Sequence, residues 1–204
     1  MSTVMSATPG GGLTGMSRNV IAQLFVTLDG VVKFDPAVQQ AIMQMGDEQV
    51  EAYFARKIAE EDAMLLGRRT YEEWLTFWPT SEIEPFASHI NHVPKYVVSR
   101  TLKSVAWPTA GGAHLLGGDL REGVIALRNQ PGKNIGVHGS PGLVGSLIKA
   151  QLLDTLRLAV CPVVAGSGGR LFGEGFAPER MELVDSLVGK SGVAVLTYRP
   201  LRRM

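Results

Sequence analysis

From residue 19 onward, runs of β-branched and aliphatic residues alternate with stretches of helical spacing, and the chain closes on two strand-like runs in succession. That order admits few architectures. Parallel strands need crossover connections, which helices supply, whereas consecutive strands close as a hairpin. Residues 19–27 read as a buried strand, being β-branched, aromatic and nearly uncharged. Further strands are expected at 63–66, 96–99, 113–116, 134–137 and 155–164, the last interrupted by Pro162. Helical spacing covers 49–60, with Val50, Phe54, Ile58 and Ala59 on one side, and shorter helices are expected at 70–75 and 85–91. Asp119 caps a helix that runs to Arg128, and an amphipathic helix covers 143–153. Residues 181–188 and 193–199 pair around Gly189 and Gly192. The expectation is an α/β fold: a mostly parallel central sheet covered by helices, with an antiparallel C-terminal edge hairpin, in one domain over residues 18–204.

Composition excludes several classes. At 204 residues, 45% hydrophobic and 19% charged, the chain has the makings of an ordinary globular core. Its net charge of +1 speaks against a broad nucleic-acid surface. Cys161, the single cysteine, allows neither an internal disulfide nor a cysteine-based zinc site and suits a reducing compartment. His89, His92, His114 and His138 show no metal-ligand spacing, so no metal is expected. Residues 1–17, rich in Gly, Ser and Thr, lack the apolar stretch of a signal peptide and read as a disordered tail. No run reaches the length of a membrane span, so a soluble cytoplasmic protein is expected.

Two segments carry most of the chemistry. Gly67-Arg68-Arg69-Thr70 follows the apolar run Ala63-Met64-Leu65-Leu66, and Gly136-Val137-His138-Gly139-Ser140-Pro141-Gly142-Leu143-Val144 opens a helical pattern. Each ends a strand and begins a helix, where unpaired N–H groups and the positive end of the helix dipole face outward together. Gly67 allows close backbone approach, and Arg68 and Arg69 offer planar forks suited to phosphate. Thr70 offers a cap, with Glu73 completing a capping box. Alone, this is equally a solvated basic turn. Ser99-Arg100-Thr101 ends the next strand, and the carboxyl-end loops of neighbouring parallel strands share one rim. An arginine there can clamp a terminal phosphate such as the 2′-phosphate that separates NADP from NAD, or simply face solvent. The two pairs together point to a phosphorylated nucleotide.

Other residues divide between functional and plain readings. Gly139 and Gly142 permit close contact and Pro141 suits a first helical turn, yet no GxGxxG pattern is present, which disfavours a Rossmann fold proper. His138 reads as a packing or hydrogen-bonding histidine rather than a catalytic one. Asp29, the only acid near the end of the first strand, either serves catalysis by orienting or protonating a substrate, or forms an ordinary Asp-Gly turn. Trp74, Phe77 and Trp78, with Tyr71, can wall a flat heterocycle or belong to the core or a dimer contact.

Taken together, these segments resemble the dihydrofolate reductase-like superfamily, and within it the RibD C-terminal domain family, the reductase half of the riboflavin-biosynthesis deaminase/reductase. The resemblance rests on VTLDGVV at 26–32, MLLGRRTYE at 64–72, KYVVSRTL at 95–102, LLGGDL at 115–120 and the long run 136–172. It is closest to the stand-alone bacterial members. It implies a three-layer fold, NADPH as cofactor, a small-molecule substrate and a homodimer. Under it, Arg68 and Arg100 hold the 2′-phosphate, with Ser99 beside the adenosine and Thr101 also in the cofactor site. Gly67, Arg69 and Thr70 meet the pyrophosphate, and Gly139, Ser140, Pro141, Gly142, Leu143 and Val144 wrap the diphosphate and nicotinamide ribose. Val26 and Thr27 line the nicotinamide side.

The chain also departs from that pattern. It carries no zinc deaminase module, and Asp47, Glu48 and Glu51 match no known proton-donor motif. No cluster of spare cations awaits a ribose 5-phosphate. The leading expectation is therefore an NADPH-dependent reductase of a small heterocycle or conjugated carbonyl or imine. Its alternatives are the riboflavin-pathway reduction of a phosphorylated ribosylaminouracil and a catalytically silent nucleotide-binding homodimer.

Overall fold

The computed structural model describes residues 17–173 and 175–201. The tail expected over residues 1–17 falls, apart from Ser17, outside the described residues. Eight strands form one sheet: β1 (Val20–Thr27), β3 (Glu61–Gly67), β4 (Lys95–Val98), β5 (Ala113–Leu116), β6 (Asn134–His138), β7 (Thr155–Cys161), β9 (Met181–Val188) and β10 (Ala194–Pro200). Their order is β5-β4-β3-β6-β1-β7-β10-β9. The first six are mutually parallel, and β10 and β9 add antiparallel as the closing hairpin. A small second sheet pairs β2 (Val31–Lys33) with β8 (Gly169–Arg170), which lies in the connection between β7 and β9.

Strand alternation divides the core between two faces. Val20, Ala22 and Leu24 of β1, Ala63 and Leu65 of β3, and Ile135 and Val137 of β6 pack on one face against α5 (Leu120–Arg128) and α6 (Pro141–Lys149). Met64, Leu66 and Val97 face the other way, under Tyr71 of α3 (Arg68–Phe77) and Ile90 of α4 (Phe86–His92). On that second face Ala159, Cys161 and Val195 meet Val50, Tyr53 and Phe54 of α2 (Glu48–Ile58). The result is a three-layer α/β fold, as the alternating pattern implied.

Several boundaries differ from the sequence expectation. Thr70 does not cap the helix after β3. That helix starts at Arg68 with Gly67 as N-cap and no side-chain cap, and the Thr70 hydroxyl is spent elsewhere. Helix α6 covers Pro141–Lys149 rather than 143–153, ending before Gln151 at φ 56°. Strand β7 stops one residue before Pro162, which has no N–H to give the ladder. Helix α1 (Pro36–Met43) was not expected, although Asp35-Pro36 is an N-cap and first-turn pair: the Asp35 carboxylate accepts the Val38 amide at 2.9 Å.

Candidate functional site

Because β4, β3, β6 and β1 are parallel neighbours, their C-terminal ends form one rim. Arg100 follows β4, Arg68 and Arg69 follow β3, and Gly139 and Ser140 follow β6. Ser140 joins two of these junctions. Its Oγ accepts the Gly67 amide at 2.9 Å, and its own amide donates to Thr70 Oγ1 at 3.1 Å. It does so in the left-handed region, at φ 54° and ψ 57°, a conformation that costs a non-glycine residue about 1–2 kcal/mol. Gly67 leaves room for the approach, since a Cβ there would stand 3.3 Å from the Ser140 hydroxyl and force a small shift.

Helices α3 and α6 therefore begin side by side, and neither N-terminus is capped by a side chain. Their first amides remain available to an anion. They open on a groove of about 1020 Å³ that Gly67, Arg68, Arg69, Thr70 and Arg100 share with Gly139, Ser140, Pro141, Gly142 and Leu143. Arg68 is exposed enough to reach a ligand but already holds both Glu72 carboxylate oxygens at 3.0 Å. Arg69 and Arg100 form no ion pair among the described residues. Trp74, Phe77 and Trp78 line the same groove, with Trp74 edge-on to Trp78 at 5.7 Å between ring centroids.

Five other sequence-derived site residues stand back from the groove. Val26, Thr27 and Val144 are 7%, 2% and 0% exposed and lie in the core, outside the groove's lining. Ser99 is buried, and its hydroxyl accepts the amides of Thr101 and Leu102 at 3.2 and 3.0 Å, which shapes the turn that presents Arg100. Thr101 is exposed beside it.

Asp29 is turned into its own loop. Its carboxylate accepts the Thr27 hydroxyl at 2.6 Å, the Ala165 amide at 3.0 Å and the Gly166 amide at 2.9 Å. These donors, the Thr27 hydroxyl foremost, lower its pKa to about 2. A carboxyl group that remains ionised is no proton donor near neutral pH. These contacts belong to the turn reading, and of the two catalytic roles an ionised carboxylate keeps the orienting one.

His138 has a partner that spacing did not reveal. Its Nε2 lies 2.6 Å from Oε2 of Glu61, whose side chain is buried at the start of β3. Gly136 makes this possible, because a Cβ there would collide with the Glu61 carboxylate. The imidazole in turn lies 6.1 Å from the Trp74 ring, beneath the groove wall.

A second cavity of about 390 Å³ opens beside the groove, and Phe34 and Gln39 line both. Its walls come from β1, α1, α2 and the end of β7, and Phe25, Phe34, Ile42, Met45, Phe54 and Phe86 make it largely apolar. Cys161 lies in its floor, and burial pushes the thiol up to about 11. Among the described residues no cluster of His, Cys, Asp and Glu is placed to hold a metal ion. No described helix is long and apolar enough to cross a membrane.

This architecture has relatives. Residues 18–195 match the RibD C-terminal domain family, and the chain belongs to it. It is 29% identical over 188 residues to the uncharacterized protein YyaP of Bacillus subtilis strain 168, covering 89% of this chain and 94% of that one. A putative riboflavin biosynthesis protein from Shewanella sp. PV-4 superposes with a TM-score of 0.73 at 21% identity, over 90% of this chain and 99% of the other. A diaminohydroxyphosphoribosylaminopyrimidine deaminase/5-amino-6-(5-phosphoribosylamino)uracil reductase from Thermotoga maritima gives 0.61 at 11% identity, over 91% of this chain and 57% of that one. At such identities the two structures speak for the fold alone.

Proposed function

We propose that the chain is an NADPH-dependent reductase acting on a small heterocycle or a conjugated carbonyl or imine. One observation carries the reading: Arg68 and Arg100 share a groove with two helix N-termini that no side chain caps and that Ser140 ties together. These groups fit a dinucleotide bearing an extra phosphate. Arg68 and Arg100 would hold the 2′-phosphate. The first amides of α3 with Arg69, and those of Gly142 and Leu143 in the first turn of α6, would hold the diphosphate and adjoining ribose. When bound, such a cofactor supplies hydride to an electron-poor carbon.

The protein's own part is placement. The Arg68 and Arg100 clamp belongs to β3 and β4, and β1 lies three strand spacings, about 14 Å, from β4. The far end of a dinucleotide so anchored faces β1 and the second cavity. Phe34 and Gln39, common to both spaces, stand at the junction. With Asp29 ionised and engaged, the proton for the substrate's nitrogen or oxygen comes from water.

The riboflavin-pathway reduction is the second reading. The family and the activity named for the Thermotoga protein support it. We further read the protein as a cytoplasmic homodimer that pairs through edge strand β9, where Leu183, Val184 and Val188 are 53%, 43% and 67% exposed.

Thermal unfolding with each nucleotide tests the main reading. A ligand at one hundred times its Kd stabilises the native state by about 2.7 kcal/mol. NADPH should raise the midpoint at concentrations where NADH does not. Equal protection by both, or by neither, would remove the 2′-phosphate clamp. Oxidation of NADPH by the phosphorylated ribosylaminouracil separates the second reading from the first.

A further inference from the structure

The two cavities that meet at Phe34 and Gln39 carry opposite charge. Lys33, Arg68, Arg69 and Arg100 outnumber the one acid, Glu73, along the groove, whereas the smaller cavity has Asp47 and Glu51 as its only charged side chains among the described residues. Asp47 is fully occupied: its carboxylate caps α2 through the Gln49 and Val50 amides and accepts the Ser191 amide and hydroxyl, both at 2.8 Å. Glu51, one turn further along α2 and exposed, donates its backbone amide to the Asp47 carbonyl at 2.8 Å, while its carboxylate accepts no hydrogen bond among the described residues. The remaining wall is apolar, and three large side chains at its edge are left open to solvent: Phe25, Met43 and Ile83, at 41%, 65% and 45%. Helix α1, which forms the outer side, buries none of its residues fully. A cavity of this size, lined this way, lies in the range of small-molecule sites.

We infer that this cavity binds the hydride acceptor, and that the acceptor is a flat, mainly apolar molecule without a phosphate group, met at its polar edge by Glu51. The inference rests on the reductase reading for the cavity's role. A phosphate placed here would lose its hydration among phenylalanines, find no cation, and face a carboxylate. A neutral aromatic body loses nothing by entering, and an amine or N–H at its rim gains the Glu51 carboxylate.

Three probes sharing one ring system test this: 1-naphthol, 1-naphthylmethylamine and 1-naphthyl phosphate. Binding to the full chain is measured by titration calorimetry, with and without NADP⁺, for wild type, Ile42→Trp and Glu51→Gln. Because the phosphate can also enter the cationic groove, only binding that Ile42→Trp removes is counted. Met43→Glu, at an exposed position of α1, replaces Ile42→Trp should that variant lose its native circular dichroism. Naphthol should bind, the amine several-fold more tightly, and the phosphate at least about tenfold more weakly than naphthol. Glu51→Gln should abolish the preference for the amine. Phosphate binding as tight as naphthol, or naphthol binding untouched in the folded cavity variant, overturns the inference. An amine preference that survives Glu51→Gln overturns the role of Glu51. Failure of the reductase reading looks different: NADP⁺ does not bind, while the three probes keep their order.

Discussion

The hydroxyl of Ser140 accepts the amide hydrogen of Gly67 at 2.9 Å, although 73 residues separate them. That bond ties the start of α3 to the start of α6, and the Ser140 amide doubles the tie through Thr70. The groove's anion-facing amides are thus held in register by two hydroxyls, those of Ser140 and Thr70, with Ser140 itself in a left-handed backbone conformation.

Ser140→Ala should lower stability by about 1–3 kcal/mol, because the Gly67 amide loses its partner while the backbone stays in the left-handed region. Ser140→Gly should lose less, since glycine adopts that conformation freely. Both should weaken NADPH binding. Denaturant unfolding and nucleotide titration check the order wild type, Gly, Ala for stability; a fully stable Ser140→Ala would show that the tie carries little.

Arg68 and Arg100 are not equivalent. Arg68 is already paired with Glu72, whereas Arg100 has no acidic partner among the described residues. Arg100→Ala should therefore raise the Kd for NADPH more than Arg68→Ala. Glu72→Gln should tighten NADPH by up to about fivefold, the scale of an exposed ion pair, and leave NADH unchanged. The double variant Arg68→Ala with Arg100→Ala should no longer discriminate between the two nucleotides. Retained preference for NADPH in that variant would assign the phosphate to other groups.

What the chain discloses before folding follows the range of the interactions. The two strand-to-helix junctions stand out because Gly67 and Gly139 sit where apolar runs end, and arginine beside glycine is a local signal. The neighbouring positions of β3 and β6, which turn two junctions into one groove, depend on sheet order that no local pattern encodes. The same holds for Glu61 and His138, 77 residues apart. The apolar cavity is harder still: Phe25, Phe54, Ile83 and Cys161 come from four separate elements and loops, and each alone reads as core. Helix α1 is the opposite case: its Asp35-Pro36 start is a purely local signal, yet no helix was expected there.

Asp29 offers a test of turn against catalysis. Its folded pKa of about 2 lies below the unfolded value of about 3.9. The stability it contributes is therefore full above about pH 4 and disappears as the pH falls towards about 2. Asp29→Asn should flatten the acid limb of the stability profile over that window. NADPH oxidation near neutral pH should stay within about threefold of wild type, against the 10²–10⁴-fold loss expected on removing a general acid. A loss of that larger size in a folded variant would restore Asp29 to the chemistry.

Lys95 presents the reverse linkage. Its side chain is 0% exposed, Nζ has no hydrogen-bond partner, and the ammonium sits 4.3 Å from the centre of the Trp107 ring. Burial lowers its pKa to about 7, against about 10.4 in an unfolded chain. Between those values the unfolded state binds more protons, so this residue makes stability rise with pH from about 7 to about 10. Lys95→Met keeps the stem and deletes the unpaired donor. It should stabilise the protein by about 1–3 kcal/mol at pH 6.5, less whatever the cation–π contact contributes, and by less at pH 9.5. Urea midpoints of wild type and variant at both pH values measure the difference. An equal effect at both would mean that the amine is not carried uncharged into the folded state, and a loss at pH 6.5 would make the Trp107 contact the dominant interaction.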